Sequence, residues 1–552
     1  ADAKHKTFLP RMSPNHALGT FLFGVNMTSQ SPFLAALMAA LSTGWTQGLS
    51  AFSDCTSHAW RLYLSMSVIS VLWVANRSKR SVDMTDQSSS VSNQLTADYL
   101  VIGAGAMGMA FVDEILSGDL TATVVLVDRY AGPGGHWRRS YPFVSLHQPA
   151  AFYGVNSENL GSGGKSLASG LEVVAYFQRV LERHVASGRL KFFPHCEYVA
   201  TAELNSDFTS TVTGEKYSVD VKRKLVDATY MKVEVPSMRP PPYRVTHGLA
   251  VVPPNGLADI SSPYEQYVVV GAGKTGMDAV LYLLGLGLAP DLITWIMPND
   301  AWLLDRGNIH PDGLLLSLGK QQEAMAKSET LQALLLNLEA DGMLMRIDES
   351  VWAEKYRCAT VNREELALLR SVKNVVRAGR VVSIEEGQVL LEKGSFNVPK
   401  QTLFVDCTAN GLSNRPIVPV FSAQKITLQS VSMCQQVYSA SLIAHVETAF
   451  SDLGMQNKLC RVTPHPETID DYLYAVGIGA MNNASWGKHF PKWVRNARLS
   501  FRSHIPTWRL FMKIPHMTKL APLVAKNLQT ISQQRALEKT PAENPERQSE
   551  SD

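Results

Sequence analysis

The sequence predicts an α/β fold with two parallel-sheet units and further chain around them. Three observations predict it. The stretch DYLVIGAGAMGMAFVDEIL, Asp98 to Leu116, runs from apolar residues through three glycines into a helical pattern. EQYVVVGAGKTGMDAVLYLL, Glu265 to Leu284, repeats that order, with Gly271 lying 168 residues after Gly103. Each is followed by a second short apolar run of the kind that forms a buried parallel strand, Thr123 to Val127 and Leu292 to Met297.

The chain has 552 residues, room for about three or four domains at roughly 100–200 residues each. With 45% hydrophobic and 18% charged residues there is ample material for a core. The net charge of +3 is too small to argue for nucleic acid or an anionic membrane surface. The six cysteines show no C-x-x-C pair and no metal-ligand spacing. No disulfide framework, redox-active dithiol or metal is expected, and a reducing, cytoplasmic location follows.

Residues 1–96 read as a poorly structured extension. Its most apolar part, Trp60 to Ala75, is followed by Asn76-Arg77-Ser78-Lys79-Arg80. That run is short of the ~20 apolar residues a spanning helix needs, so a membrane anchor stands only as an alternative. Met84 reads as a natural start, a short polar lead before the first core strand.

In the first glycine segment, Tyr99 to Ile102 is the strand and Gly103-Ala104-Gly105-Ala106-Met107-Gly108 the turn. Gly103 permits the tight bend, Gly105 lets backbone approach a pyrophosphate, and Gly108 lets the helix pack close. The helix N-terminus offers free N–H groups to phosphate. The second strand ends at Asp128-Arg129, 20 residues after Gly108, where a carboxylate meets ribose hydroxyls. Strand, glycines, helix, strand and acid in that order specify a Rossmann-like, dinucleotide-binding unit. Gly134-Gly135-His136-Trp137 then marks a loop whose backbone must come very close to something flat or phosphorylated.

The second segment repeats the fingerprint as Gly271-Ala272-Gly273-Lys274-Thr275-Gly276. Lys274 reads either as a cation near the pyrophosphate or as a solvated lysine. Asp300 comes late for an NADH-selecting acid and Arg306 is the first arginine, so NADPH and NADH both stay open.

An N-terminal G-x-G-x-x-G, an acid closing the second strand and a G-G-x-W loop resemble flavoproteins with two dinucleotide-binding domains. Flavin-containing monooxygenases and related pyridine-nucleotide oxidoreductases are the families most similar in pattern, over roughly residues 97–480. The resemblance implies a glutathione-reductase-like arrangement. An FAD-binding domain would span 97–243 and 396–480, with an NAD(P)-binding domain and helical insertion at 264–395. A mainly helical region at 481–535 and a disordered tail at 536–552 would follow.

By the same resemblance the first motif would hold the ADP part of FAD. Gly135, His136, Trp137, His147 and Gln148 would lie toward the flavin. The strand Thr402 to Val405 and the turn Asp406-Cys407-Thr408-Ala409-Asn410-Gly411 would return under it. His136 and His147 read as structural or as proton-transfer groups. Asp227-Ala228-Thr229-Tyr230 partly matches the A-T-G turn at such domain crossings, with tyrosine where glycine is usual.

The leading expectation is an FAD-dependent NAD(P)H oxidoreductase that passes hydride from the nicotinamide to FAD and on to oxygen or an organic acceptor. It names no protein acid or base, because the cofactor carries the hard chemistry. One alternative is flavin-containing monooxygenase-type oxygenation of a small organic substrate. The F-x-G-x-x-x-H signature of those enzymes is absent from Arg244 to Pro263, which argues against it. Another is a non-catalytic dinucleotide-binding or redox-sensing protein.

Overall fold

The apolar runs become the central strands of two sheets, the first mixed and the second parallel. The computed structural model describes residues 93–201, 205–412 and 415–539. The Trp60 to Ala75 stretch, Met84 and the tail beyond residue 539 lie outside the described residues. The first sheet contains β1 (Asn93–Ile102), β2 (Val124–Val127), β3 (Leu190–Phe193), β4 (Cys196–Tyr198), β5 (Asp207–Ser210) and β6 (Lys216–Asp227), in the order β3-β2-β1-β6-β5-β4. Pairing among β3, β2, β1 and β6 is parallel, while β5 runs antiparallel to β4 and β6. The strand therefore starts at Asn93, six residues before the apolar run at Tyr99, because β6 is long enough to pair along all of it.

Chain order continues with β7 (Arg244–Val245), β8 (Ala250–Val252), β9 (Gln266–Val270), β10 (Ile293–Ile296), β11 (Ala301–Asp305), β12 (Leu344–Met345) and β13 (Lys355–Val361). Then come β14 (Asn374–Val376), β15 (Val381–Glu385), β16 (Gln388–Leu391), β17 (Gly394–Asn397), β18 (Thr402–Asp406) and β19 (Lys425–Thr427). The second sheet is parallel throughout, in the order β14-β10-β9-β18-β8. Two smaller sheets follow, β12-β11-β13 and β17-β16-β15-β7.

The helices are α1 (Ala106–Gly118), α2 (Gly170–Ala186), α3 (Lys274–Gly285), α4 (Leu314–Lys327), α5 (Leu331–Ala340), α6 (Arg363–Ser371), α7 (Gln436–Ala449), α8 (Leu453–Leu459), α9 (Ile469–His489), α10 (Pro491–Asn496) and α11 (Thr507–Lys539). Both α1 and α7 are buried nearly all round, so they form the inner layer against the first sheet. The carboxylate of Asp113 on α1 is fully buried, and it is held by His184 Nε2 at 2.9 Å and Arg183 at 3.0 Å. Helix α11 extends four residues, to Lys539, into the segment expected to be a disordered tail. No helix of the described residues is long and apolar enough to cross a membrane.

Two expectations are corrected. Thr402 to Val405 was expected to rejoin the first unit; it pairs with β9 in the second sheet, and the chain rejoins the first sheet at β19, beside β6. An apolar run carries no mark of which sheet it enters. Cysteine spacing also misleads, since Cys358 and Cys434 are joined in a disulfide across 76 residues.

Candidate functional site

Each glycine turn is built from the same contacts. Gly103 has φ +100° and Gly271 φ +121°, backbone that a side chain rarely adopts. A Cβ on Gly108 would lie 1.9 Å from Gly103 O, and one on Gly276 2.0 Å from Gly271 O. The third glycine is therefore required by the protein itself, because the helix rests directly on the turn. The second glycine differs. A Cβ on Gly273 would meet no protein atom within 4 Å, and one on Gly105 only Gly135 Cα, at 4.0 Å. That is an open cradle of backbone in both copies.

The helix starts agree. Neither α1 nor α3 has a side-chain cap or an acid in its first turn. By contrast, α2, α6 and α9 each carry a complete capping box. The two helices behind the glycine turns thus keep N–H groups and a positive dipole end for an anion. The residues present fit the pyrophosphate of a dinucleotide at each turn.

A strand-terminal Asp-x-Thr supports each turn from the neighbouring strand. Asp227 Oδ1 accepts from Thr229 N at 3.0 Å and Thr229 Oγ1 at 2.8 Å, and Asp406 Oδ1 from Thr408 N at 3.2 Å and Oγ1 at 2.6 Å. Asp227 pairs in register with Ile102, and Asp406 with Val270. A Cβ on Gly103 would meet Thr229 Cγ2 at 2.9 Å, and one on Gly271 would meet Cys407 O at 2.9 Å. Asp406 is therefore part of the second turn, the counterpart of Asp227 in the first. The repeat D-A-T against D-C-T was the signal for it.

At the first turn, Asp128 closes β2. Its Oδ2 accepts from Ala104 N at 2.6 Å and its Oδ1 from Tyr130 N at 2.7 Å, while burial raises its carboxyl above the usual value. It clamps the turn, and each oxygen keeps a second lone pair. Gly134 N–H donates to Ala104 O at 2.9 Å, and a Cβ on Gly135 would lie 3.1 Å from Gly105 Cα. The close neighbour of the G-G-H-W loop is thus the glycine turn itself. Trp137 Nε1 donates to Tyr153 OH at 2.8 Å, and burial lowers the His136 imidazole to about 4. The guanidinium of Arg129 lies over the Tyr130 ring at 5.1 Å.

The segment after this loop crosses to the second turn. Tyr141 OH donates to Asp278 Oδ2 at 2.6 Å, and Phe143 stacks on Tyr282 at 3.9 Å. Lys274 pairs with Asp278 one helical turn on, so its charge is shared at the start of α3. Thr275 follows it in the same first turn of α3. Arg306 donates to His147 O at 3.0 Å and pairs with Glu365 at 2.9 Å. Asp300 is held by Arg377 through Nε at 2.8 Å and a second nitrogen at 3.1 Å. Burial, with Lys274, Arg306 and His465 adding positive charge, lowers His147 to about 3, and its buried Nδ1 has no hydrogen-bond partner.

Two contacts missed in the sequence tie this region to the chain's second half. Gln435 Nε2 donates to Gln148 Oε1 at 3.0 Å, and Arg357 donates to Asn410 Oδ1 at 3.2 Å and Asn410 O at 2.8 Å. Arg357 and Gln435 adjoin the disulfide partners Cys358 and Cys434, and both cysteines have positive φ. His465 Nδ1 lies 3.8 Å from Cys434 Sγ. Gly411 bridges to Glu234, just past the Asp-x-Thr of β6.

No family model matches the chain. It is 29% identical over 215 residues to the FAD-dependent monooxygenase resA of Aspergillus sclerotiorum, covering 36% of each chain. Among solved structures, it is similar to cyclohexanone monooxygenase from Rhodococcus sp. Phi1 bound to NADP+, with 14% identity, a TM-score of 0.41, and coverage of 64% of this chain and 84% of that one. The Uncharacterized protein Rv2000 of Mycobacterium tuberculosis is 43% identical over 424 residues, 74% of this chain and 78% of that protein. At that identity and coverage, the chain belongs to the same protein family as this mycobacterial relative.

Proposed function

We propose that the chain is an FAD-dependent monooxygenase that consumes NADPH or NADH and oxygenates a small organic molecule. The observation that carries the cofactor reading is the pair of glycine turns, each with an open second glycine before an uncapped helix. FAD would sit at Gly103 to Gly108 with Asp128 on its ribose. The nicotinamide dinucleotide would sit at Gly271 to Gly276. Similarity to the fungal FAD-dependent monooxygenase favours oxygen transfer over the other acceptors.

Bound FAD supplies hydride acceptance from the nicotinamide and electron delivery to oxygen. The chain binds and orients. Backbone N–H groups at the starts of α1 and α3 would hold the two pyrophosphates, and the tight G-G-H-W loop would border the approach to the flavin. His136 and His147 are held neutral by burial, so neither is a resident cation at neutral pH. Asn410, anchored by Arg357, would face the cofactor from the second Asp-x-Thr turn.

A second reading keeps the two cofactors and ends in reduction of oxygen to peroxide or of an organic acceptor. The absent F-x-G-x-x-x-H signature favours it. One experiment separates the readings. The purified chain is reduced anaerobically with NADPH or NADH while its flavin absorbance is followed, then exposed to labelled oxygen with a ketone and a sulfide. Labelled product supports the monooxygenase. Peroxide alone supports the second reading. A chain that holds no flavin, or whose flavin neither nicotinamide reduces, leaves a binding protein.

A further inference from the structure

The net charge of +3 hides a strong asymmetry. From residue 472 to residue 537 there is no Asp or Glu, while ten Lys and Arg fall between Lys488 and Arg535. The rest of the chain then holds 42 basic residues against 49 acidic ones. Eight of the ten basic residues are exposed, and none of those eight makes an ion pair among the described residues. The two exceptions are committed elsewhere: Arg498 donates to the carbonyls of Ala151, Tyr153 and Val155, and Arg535 pairs with Asp470.

Within this segment, α11 shows apolar side chains to solvent. Trp508 is 59% exposed, Phe511 67% and Met512 65%. They stand at i, i+3 and i+4, one stripe of the helix. The opposite side is docked. Asn527 donates to Met325 O and Ala326 O, Gln322 on α4 donates to Met517 O, and Ile531 is fully buried. The helix is therefore held to the fold by one face. It presents large apolar groups on the other, and Arg509, Lys513 and Lys519 of the same helix are exposed.

We propose that the outer face of α11 docks on an anionic lipid bilayer. Exposed aromatic and aliphatic side chains set among unpaired cations match the headgroup boundary, where rings enter the acyl edge and ammonium groups meet lipid phosphates. The binding is peripheral, since none of the described helices can span a bilayer. No acid falls on α11 between Thr507 and Leu537, and Glu323 of α4, which meets this helix, is paired with His516 at 2.9 Å, which favours an anionic partner over a second copy of this same basic face. This surface is separate from the glycine turns and does not depend on the proposed chemistry.

The test is flotation of the full chain with vesicles of phosphatidylcholine alone or mixed with phosphatidylglycerol. Binding to the mixed vesicles only, weakening as salt rises, is expected. A Trp508→Ser, Phe511→Ser, Met512→Ser variant, with unchanged melting temperature because all three sites are exposed, should bind at least about tenfold more weakly. A Lys513→Gln, Lys519→Gln variant should lose part of the salt dependence. No flotation, or flotation that both variants retain, overturns the proposal; the latter assigns any lipid contact to another segment. So does a triple variant that changes sedimentation in lipid-free solution, which would make the face a self-association surface.

Discussion

The three glycines of each turn answer to different constraints, and substitution should separate them. At Gly276 an added methyl collides with Gly271 O at 2.0 Å, so Gly276→Ala forces α3 off the turn and should cost about 1–3 kcal/mol of stability or more. Gly273→Ala meets no protein atom. Its stability should match that of the parent, while its Kd for nicotinamide, read from anaerobic flavin reduction, should rise at least about tenfold. Equal affinity in Gly273→Ala would sink the placement of a dinucleotide at this turn. Asp128 gives a related prediction at the first turn. Both its oxygens accept backbone N–H groups, so Asp128→Asn turns an amide donor onto either Ala104 N or Tyr130 N. Chemical denaturation should show a loss of about 1–3 kcal/mol even though a buried charge is removed. These sites were legible in the sequence because glycine spacing and a strand-terminal acid are local. Asp406 was read in the wrong setting because its meaning lies in the strand it pairs with.

At the scale of elements, the disulfide ties β13 to the chain just before α7 and sits between two contacts that reach the candidate site, Arg357 to Asn410 and Gln435 to Gln148. Closing a loop of 76 residues is worth about 4 kcal/mol by chain entropy. In denaturant, Cys434→Ser should lose up to that amount relative to the oxidised parent, and a reducing agent should destabilise the parent but not the variant. Equal sensitivity of both to the reducing agent would show that this bond is not the one being opened. The pairing could not be read from spacing, because β13 bends at a register shift against β11 and only the folded sheet brings Cys358 to Cys434. Asn362 and Glu365 at the start of α6 form a capping box from side chains three residues apart, a local pattern. The sheet membership of β18 required knowing which of two similar apolar surfaces it covers.

For the whole molecule, the same non-local averaging hid the basic C-terminal segment inside a small net charge, and it shapes the response to acid. Four histidines sit neutral within the fold: His136, His445 and His465 are lowered to about 4 and His147 to about 3, in each case mainly by burial. Unfolded, each would take a proton near pH 6.5. The unfolded chain thus binds more protons than the native one over the interval between these values. The stabilisation from neutral burial is complete above about pH 6.5 and is lost progressively as pH falls toward 4. Asp128 and Glu114 work the other way. Burial raises both, so the native state takes up their protons earlier than the unfolded chain and offsets part of the loss at the acid end. Their offset begins at their raised native values, above the usual carboxylate range, and so tempers the histidine loss. The melting temperature should therefore decline from pH 7 toward pH 5 where the four histidines outweigh the two carboxylates. His445 isolates one member of the set: its ring stacks on Trp493 at 4.6 Å and its buried Nε2 has no partner. His445→Gln should reduce the slope of stability against pH across that interval by close to one proton's share. An unchanged slope in the variant would mean that His445 charges as readily in the fold as outside it.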